Sequence, residues 1–194
     1  SQAGSRAFAQ DQDYIKVNAQ VKGRAEILSG ADLVLTIHLL NDDELRQLKP
    51  SAVLLGVYQP LFSFAKMKEW AAKGLTTFSL DMIPRTTRAQ SMDVLSSQAS
   101  VAGYKAVVLA ASNFSRYFPM LTTSAGSIPP AKVLVLGAGV AGLQAIATAK
   151  RLGAVVEVFD TRPAAKEEVM SLGAKFIEVE GAASAAGAGG YAVE

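Results

Sequence analysis

Residues 133–160 read VLVLGAGVAGLQAIATAKRLGAVVEVFD. An apolar, branched run leads into Gly137-Ala138-Gly139-Val140-Ala141-Gly142, a helical pattern follows, and a second apolar run ends in Asp160. A lone G-x-G-x-x-G is a weak signal. Between a strand and a helix, with an acid closing the next strand, it restricts the chain to a β-α-β unit with a parallel sheet. The first glycine permits a tight turn. The second lets backbone approach a pyrophosphate, and the third lets helix and strand pack closely. Backbone N–H groups at the helix start then face phosphate charge. Gly137, Ala138, Gly139, Val140 and Gly142 are therefore candidate cofactor-binding positions, with Asp160, Thr161 and Arg162 beyond the second strand. A carboxylate at Asp160 can accept from both adenosine ribose hydroxyls and would repel a 2′-phosphate, which favours NAD over NADP. Arg162 pulls the other way, because an arginine there can receive that phosphate. A plain glycine turn, with Asp160 capping the next helix, is the bland alternative.

The rest of the chain fits the same architecture. ADLVLTIHLL (31–40), SAVLLGVY (51–58) and LTTFSLDMI (75–83) read as buried parallel strands. Asn41 and the acids after it mark the start of a short helix, ELRQL. LFSFAKMKEWAAKG gives a second helix, closed by Gly74. PRTTRAQSMD (84–93) is a polar, basic loop. A long helix is expected over 91–118, with Val94, Leu95, Ala99, Ala102, Ala106 and Leu109 on its inner face. TTSAGSIPPAK is rich in turn formers and reads as a linker. After it come a strand (132–137), a helix (140–152), a strand (154–160), a helix (163–173) and a strand (174–179). The chain opens in polar coil, SQAGSRAFAQDQD, and GAASAAGAGGYAVE reads as a loop or a disordered end.

The expected fold class is α/β: two Rossmann-like parallel-sheet domains joined by a long helix, both incomplete in this chain. The expected limits are 1–90 for an N-terminal α/β domain, 91–121 for the connecting helix, 122–131 for the linker and 132–194 for a nucleotide-binding domain. Two such domains would leave a cleft between them, where ligands prefer to bind.

Composition narrows the chemistry. A formal net charge of +2 gives no charge-driven case for nucleic acid. The chain has no cysteine, which removes disulfides, thiol nucleophiles and cysteine-bound metals. Its single histidine, His38, disfavours a His-rich metal site and reads as a strand residue satisfied by a neighbour. The opening SQAGSRAFAQDQD does not read as a signal peptide, and no apolar run reaches the roughly 18–20 residues of a membrane span, so a soluble chain is expected.

PRTTRAQSMDVLSSQASVAGYKAVVLAA, followed by PPAKVLVLGAGVAGLQAIATAKRLGAVVEVFDTRP, closely resembles the NAD(H)-binding domain I of proton-translocating nicotinamide nucleotide transhydrogenases. Alanine dehydrogenases share that two-domain fold. The resemblance implies a domain-I homodimer and hydride exchange between NAD(H) here and NADP(H) on a separate domain III. It also implies coupling to proton movement through a membrane domain II, and a soluble domain beside an energy-transducing membrane. It places Arg85, Gln90 and Asp93 by the nicotinamide and its ribose. Glutamine can bridge hydroxyls without titrating, and Asp93 can orient Arg85 through a charge-assisted pair. Ser96, a helical turn further on, would reach the carboxamide. Hydride transfer between two nicotinamides needs no general acid, so a site poor in titrating groups is expected.

An amino-acid dehydrogenase is the rival. Alanine dehydrogenases place a lysine near the end of the first of these strands and a histidine after the next. The matching stretches here are Thr36-Ile37-His38-Leu39-Leu40, which has no lysine, and Val57-Tyr58-Gln59-Pro60, which has no histidine; His38 is the one titrating group that could substitute. A proton shuttle needs a titrating group within reach. A non-catalytic NAD-binding module is the third reading.

Overall fold

A computed structural model describes residues 2–84 and 86–179. They fall into two compact units that divide between Asp93 and Val94. The small-residue tract after position 180 lies outside the described residues.

The first unit opens with two short helices, α1 (Asp11–Lys16), which starts within the expected polar coil, and α2 (Arg24–Gly30). Each is too short to show a helical repeat in sequence. Local bonds set them: the Gln10 N–H donates to Asp13 at 3.0 Å, and Leu28 is buried in the core. Then follow β1 (Leu33–Thr36), α3 (Asp42–Gln47), β2 (Val53–Gly56), α4 (Phe64–Ala72) and β3 (Thr76–Ser79). Asn41 caps α3 as its sequence position suggests. Its Oδ1 accepts from the Glu44 N–H at 2.9 Å, and its own N–H donates to Glu44 at 3.0 Å. The strands pair in parallel in the order β1-β2-β3, with Leu33 opposite Val53 and Val53 opposite Thr76. Leu28, Val34, Leu40, Leu45, Leu54, Tyr58 and Trp70 form the core. The Tyr58 and Trp70 rings meet edge to face at 5.3 Å.

The strands were expected to be buried on both faces. Instead they alternate: Val34 and Leu54 are buried, while Leu33, Leu35 and Phe78 are more than half exposed. Helices cover one face only. His38 is not in a strand. Pairing stops at Thr36, whose hydroxyl donates to the His38 carbonyl and turns the chain into an exposed bend. Within the expected loop, Thr87–Met92 form a 3-10 turn, with Ala89 buried.

The second unit starts with α5 (Val94–Asn113). Its buried residues are Gly103 and Val107, not the expected stripe of Val94, Leu95, Ala99, Ala102, Ala106 and Leu109. Apolar and small residues are spread round this helix, so periodicity does not select a face. The closest approach of backbone selects it. By length and composition alone, α5 is the one helix among the described residues that could cross a membrane, with a mean hydropathy of 1.2 over 18 residues. Its serines and Lys105 break the apolar run without lowering the average below that mark.

The expected linker folds as an antiparallel hairpin, β4 (Leu121–Thr123) with β5 (Gly126–Ile128). The turn formers sit at the hairpin's turn, which the linker reading did not foresee. What the sequence hid was the pairing of Thr122 with Ser127, and the bond from the Ala131 N–H to the Phe118 carbonyl at 2.9 Å that closes the neck. β6 (Lys132–Leu136), α6 (Val140–Arg151), β7 (Val155–Phe159), α7 (Ala165–Ser171) and β8 (Lys175–Phe176) complete a second parallel sheet in the order β6-β7-β8. Its core holds Ile146, Ala149, Val156, Val158 and Val169, with Val107 from α5. The opposite sheet face carries Leu134 and Leu136, both largely exposed.

Candidate functional site

The glycine loop joins β6 to α6. Gly137 has φ +94°, which a side chain would strain. Its N–H donates to the Phe159 carbonyl at 2.8 Å, tying the loop to the end of β7. Gly139 is the N-cap of α6. A Cβ built on Gly137 or Gly139 would meet nothing within 4 Å, so both face open space. A Cβ on Gly142 would lie 1.8 Å from the Gly137 carbonyl oxygen, so only glycine lets the helix start so close to the strand end. The first intrahelical bond runs from the Leu143 N–H to the Gly139 carbonyl at 2.8 Å. The amides of Val140, Ala141 and Gly142 precede it and have no intrahelical acceptor.

Asp160 follows β7 directly. Its side chain is 5% exposed and receives four bonds. Oδ2 accepts from the Ala138 N–H at 2.7 Å and from Arg162 Nη2 at 2.9 Å. Oδ1 accepts from the Arg162 N–H at 2.8 Å and from Arg162 Nε at 2.9 Å. A carboxylate has about four acceptor positions, so this one is saturated. The Arg162 fork is the main cause that brings its pKa down to about 2; burial opposes, and the Ala138 and Arg162 backbone N–H groups assist. Asp160 does not cap the next helix, whose N-cap is Ala164.

A cavity of about 650 Å³ opens here, lined by Leu136, Gly137, Gly139, Phe159, Asp160, Thr161 and Arg162. Five of these residues were expected from sequence. Ala138 is buried behind the cavity and contributes its N–H to Asp160 instead of lining the wall. Val140, partly exposed, and Gly142 begin α6 beside it. Leu136 and Phe159 were missed. They are register partners at the carboxyl ends of adjacent strands, the place where ligands bind in open α/β sheets. That rule would have found them.

The other expected residues divide between the units. Gln90, exposed, and Asp93, half-buried, close the first unit, where the Asp93 N–H donates to the Gln90 carbonyl at 3.3 Å. Ser96, half-buried, sits in the first turns of α5 and accepts at its carbonyl from the Ser100 hydroxyl at 3.3 Å. Arg85 lies outside the described residues, and so does its expected pairing with Asp93. Among the described residues no cluster of three or more His, Asp or Glu side chains could hold a metal.

A glycine cradle with outward amides, beside an ionised strand-end carboxylate, can hold a phosphate and a vicinal diol together. Comparison with known proteins places both halves of the chain in one family. Residues 1–102 match the family model "Alanine dehydrogenase/PNT, N-terminal domain", and residues 106–189 match "Alanine dehydrogenase/PNT, C-terminal domain". The NAD(P) transhydrogenase subunit alpha of Haemophilus influenzae is 41% identical over 190 residues, covering 98% of this chain and 37% of that protein. The solved transhydrogenase of Sinorhizobium meliloti superposes with a TM-score of 0.87 at 50% identity, over 93% of this chain and 52% of that one. An L-alanine dehydrogenase structure shares the fold, with a TM-score of 0.77 at 24% identity, over 91% of this chain and 50% of that one. The chain thus spans about half the length of the two solved relatives, and 37% of the Haemophilus subunit. On both of its halves, this chain belongs to the alanine dehydrogenase/PNT family.

Proposed function

We propose that this chain is the NAD(H)-binding component of a proton-translocating transhydrogenase. It exchanges hydride between NAD(H) held here and NADP(H) held on a separate domain III. The observation that carries the reading is the cavity where Gly137, Gly139 and Asp160 meet. The amides at the start of α6 take the pyrophosphate. Asp160 takes the adenosine ribose hydroxyls, ionised at any physiological pH. Its acceptor positions are all in use, so the diol displaces the Arg162 guanidinium while the Ala138 and Arg162 backbone N–H groups keep the carboxylate aimed. The carboxylate repels a 2′-phosphate, which sets the preference for NAD(H).

Bound NAD(H) supplies the hydride or its acceptor carbon. The protein's role is placement and exclusion of water. Arg85, Gln90 and Asp93 serve the nicotinamide and its ribose, and Ser96 serves the carboxamide; the match of PRTTRAQSMD to the transhydrogenase pattern supports these roles. The chain acts as a homodimer and docks with domain III and with a proton-conducting membrane domain II. Exposed Val101, Tyr104 and Leu109 on α5 support the dimer. The deciding experiment mixes full-length protein with an NADP(H)-loaded domain III and follows hydride transfer from NADH to an NADP analogue. Transfer is expected, with no oxidation of alanine. Alanine-dependent NAD reduction would instead establish the dehydrogenase. NADH binding with neither reaction would leave a non-catalytic module.

A further inference from the structure

Gly103 lies in the middle of α5, among alanines at positions 99, 102 and 106. Glycine inside a helix is disfavoured relative to alanine, so local propensity does not account for it. Its surroundings do. A Cβ built on Gly103 would stand 2.0 Å from the carbonyl oxygen of Ala141, 2.9 Å from its carbonyl carbon and 3.1 Å from its Cα. All three atoms are backbone, so no rotamer change relieves the contact. Ala141 is the fifth residue of the Gly137–Gly142 loop and lies in the first turn of α6. The backbone of α5 therefore rests directly on the phosphate loop. Gly103 and Val107, one turn apart, are the buried residues of the helix at this contact.

We propose that Gly103 is a positioning residue for the phosphate loop. Its missing side chain lets α5 hold the start of α6 at the depth where the amides of Val140, Ala141 and Gly142 meet the pyrophosphate. Gly142 fixes the same turn from the strand side, through the Gly137 carbonyl; Gly103 fixes it from the helix side. An added methyl must move the loop or the helix by about 1 Å, enough to spoil charge-assisted hydrogen bonds. The proposal rests on the dinucleotide reading above for its ligand, and on geometry alone for the contact.

The test compares Gly103→Ala with Val107→Ala in the full chain. Val107 is 5% exposed on the same helix face, so its truncation loosens packing without pressing on the loop. NADH titration should show affinity about tenfold or more weaker for Gly103→Ala. For Val107→Ala it should be unchanged within about twofold, although Tm falls. Amide exchange without nucleotide should be faster over 137–143 in Gly103→Ala only. A fall in Tm with unchanged NADH affinity would reduce Gly103 to a packing residue and overturn the proposal. Should Gly103→Ala fail to fold, wild-type protein still decides. Saturating NADH should slow exchange over 100–104 as well as over 137–143, and protection confined to the loop overturns the proposal. If wild-type protein binds no NADH, the functional reading falls, while exchange of the ligand-free loop still judges Gly103.

Discussion

In the first unit three parallel strands are backed by Leu28, Leu40, Leu45, Leu54, Tyr58 and Trp70. In the second the same strand order is backed largely by Ala138, Ala145, Ala149, Ala154, Ala165 and Ala174, with Phe118, Ile146 and a few valines. Large side chains fill space between elements and keep backbones apart. Alanines bring backbones together. The second unit needs that closeness, because its candidate ligand groups are mostly backbone amides, which no rotamer can re-aim. The first unit aims no such set, and its core can be built from bulk. Charge differs at one place. Most described ion pairs of both units lie on the surface, for example Lys16 with Asp13 in the first and Lys175 with Glu157 in the second. The Asp160–Arg162 pair is sheltered and lines the cavity. Exposed pairs contribute little; a sheltered, forked pair holds a functional group in place.

Trp70→Ala is the strongest blow to this contrast. It empties the largest buried side chain of the first unit and should lower stability by about 3–5 kcal/mol in urea unfolding. At low urea the surviving folded protein should still bind NADH with wild-type affinity. A parallel loss of affinity would show that bulk in the first unit also aims the second.

Asp160→Ala acts on the other side. It should weaken NADH binding by about 1–3 kcal/mol and narrow the preference over NADPH, both read by equilibrium titration. Equal wild-type affinities for the two nucleotides would remove the NAD assignment. Asp160 also sets an acid limb. Its carboxyl falls from 3.8 to about 2 on folding. The stability this contributes is present above pH 3.8 and lost as pH falls through about 2. The loss is about 2 kcal/mol, since one unit corresponds to about 1.4 kcal/mol. Unfolding curves of Asp160→Ala should lack that limb.

Gln90 is where the contrast should fail, because a residue of the first unit would then serve the reaction. Gln90→Asn keeps the amide and shortens its reach. Single-turnover stopped-flow with domain III should show a hydride step at least ~10-fold slower, with NADH affinity little changed. An unchanged rate returns Thr87–Met92 to an ordinary turn.

Tyr58→Phe is the gentlest probe. Among the described residues the Tyr58 hydroxyl and Trp70 Nε1 are buried with no hydrogen-bond partner. Burial pushes the Tyr58 hydroxyl up to about 12. Removing it should leave stability unchanged or raise it by up to about 1 kcal/mol. Wild-type stability should decline as pH rises from 10 towards 12, because the unfolded chain ionises first; Tyr58→Phe should lack that share of the decline. A large destabilisation would mean that the hydroxyl has a partner.

Much of this was legible where backbone conformation depends on residue type. Gly137 and Gly142 could be assigned roles because a positive φ and a close approach each demand glycine. The strand-helix-strand order of both units followed from apolar runs and caps such as Asn41. Long-range geometry was not legible. A helix with no distinct apolar face does not announce that Gly103 is its contact point. Asp160 and Arg162 are two residues apart in sequence, yet nothing there shows the guanidinium folded back onto the carboxylate. α1 and α2 escaped notice because single-turn bonds, not periodicity, define them.

Because the Ala138 N–H is already bonded to Asp160, the ligand-free loop carries a carboxylate beside the first-turn amides, with its charge met by the Arg162 guanidinium. In the proposed reading, a small anion would find the amides but have no use for that carboxylate. A dinucleotide would use both, its phosphates on the amides and its ribose hydroxyls on the carboxylate. The side chain would then act as a filter as well as a contact, favouring a ligand whose phosphate and diol arrive covalently joined.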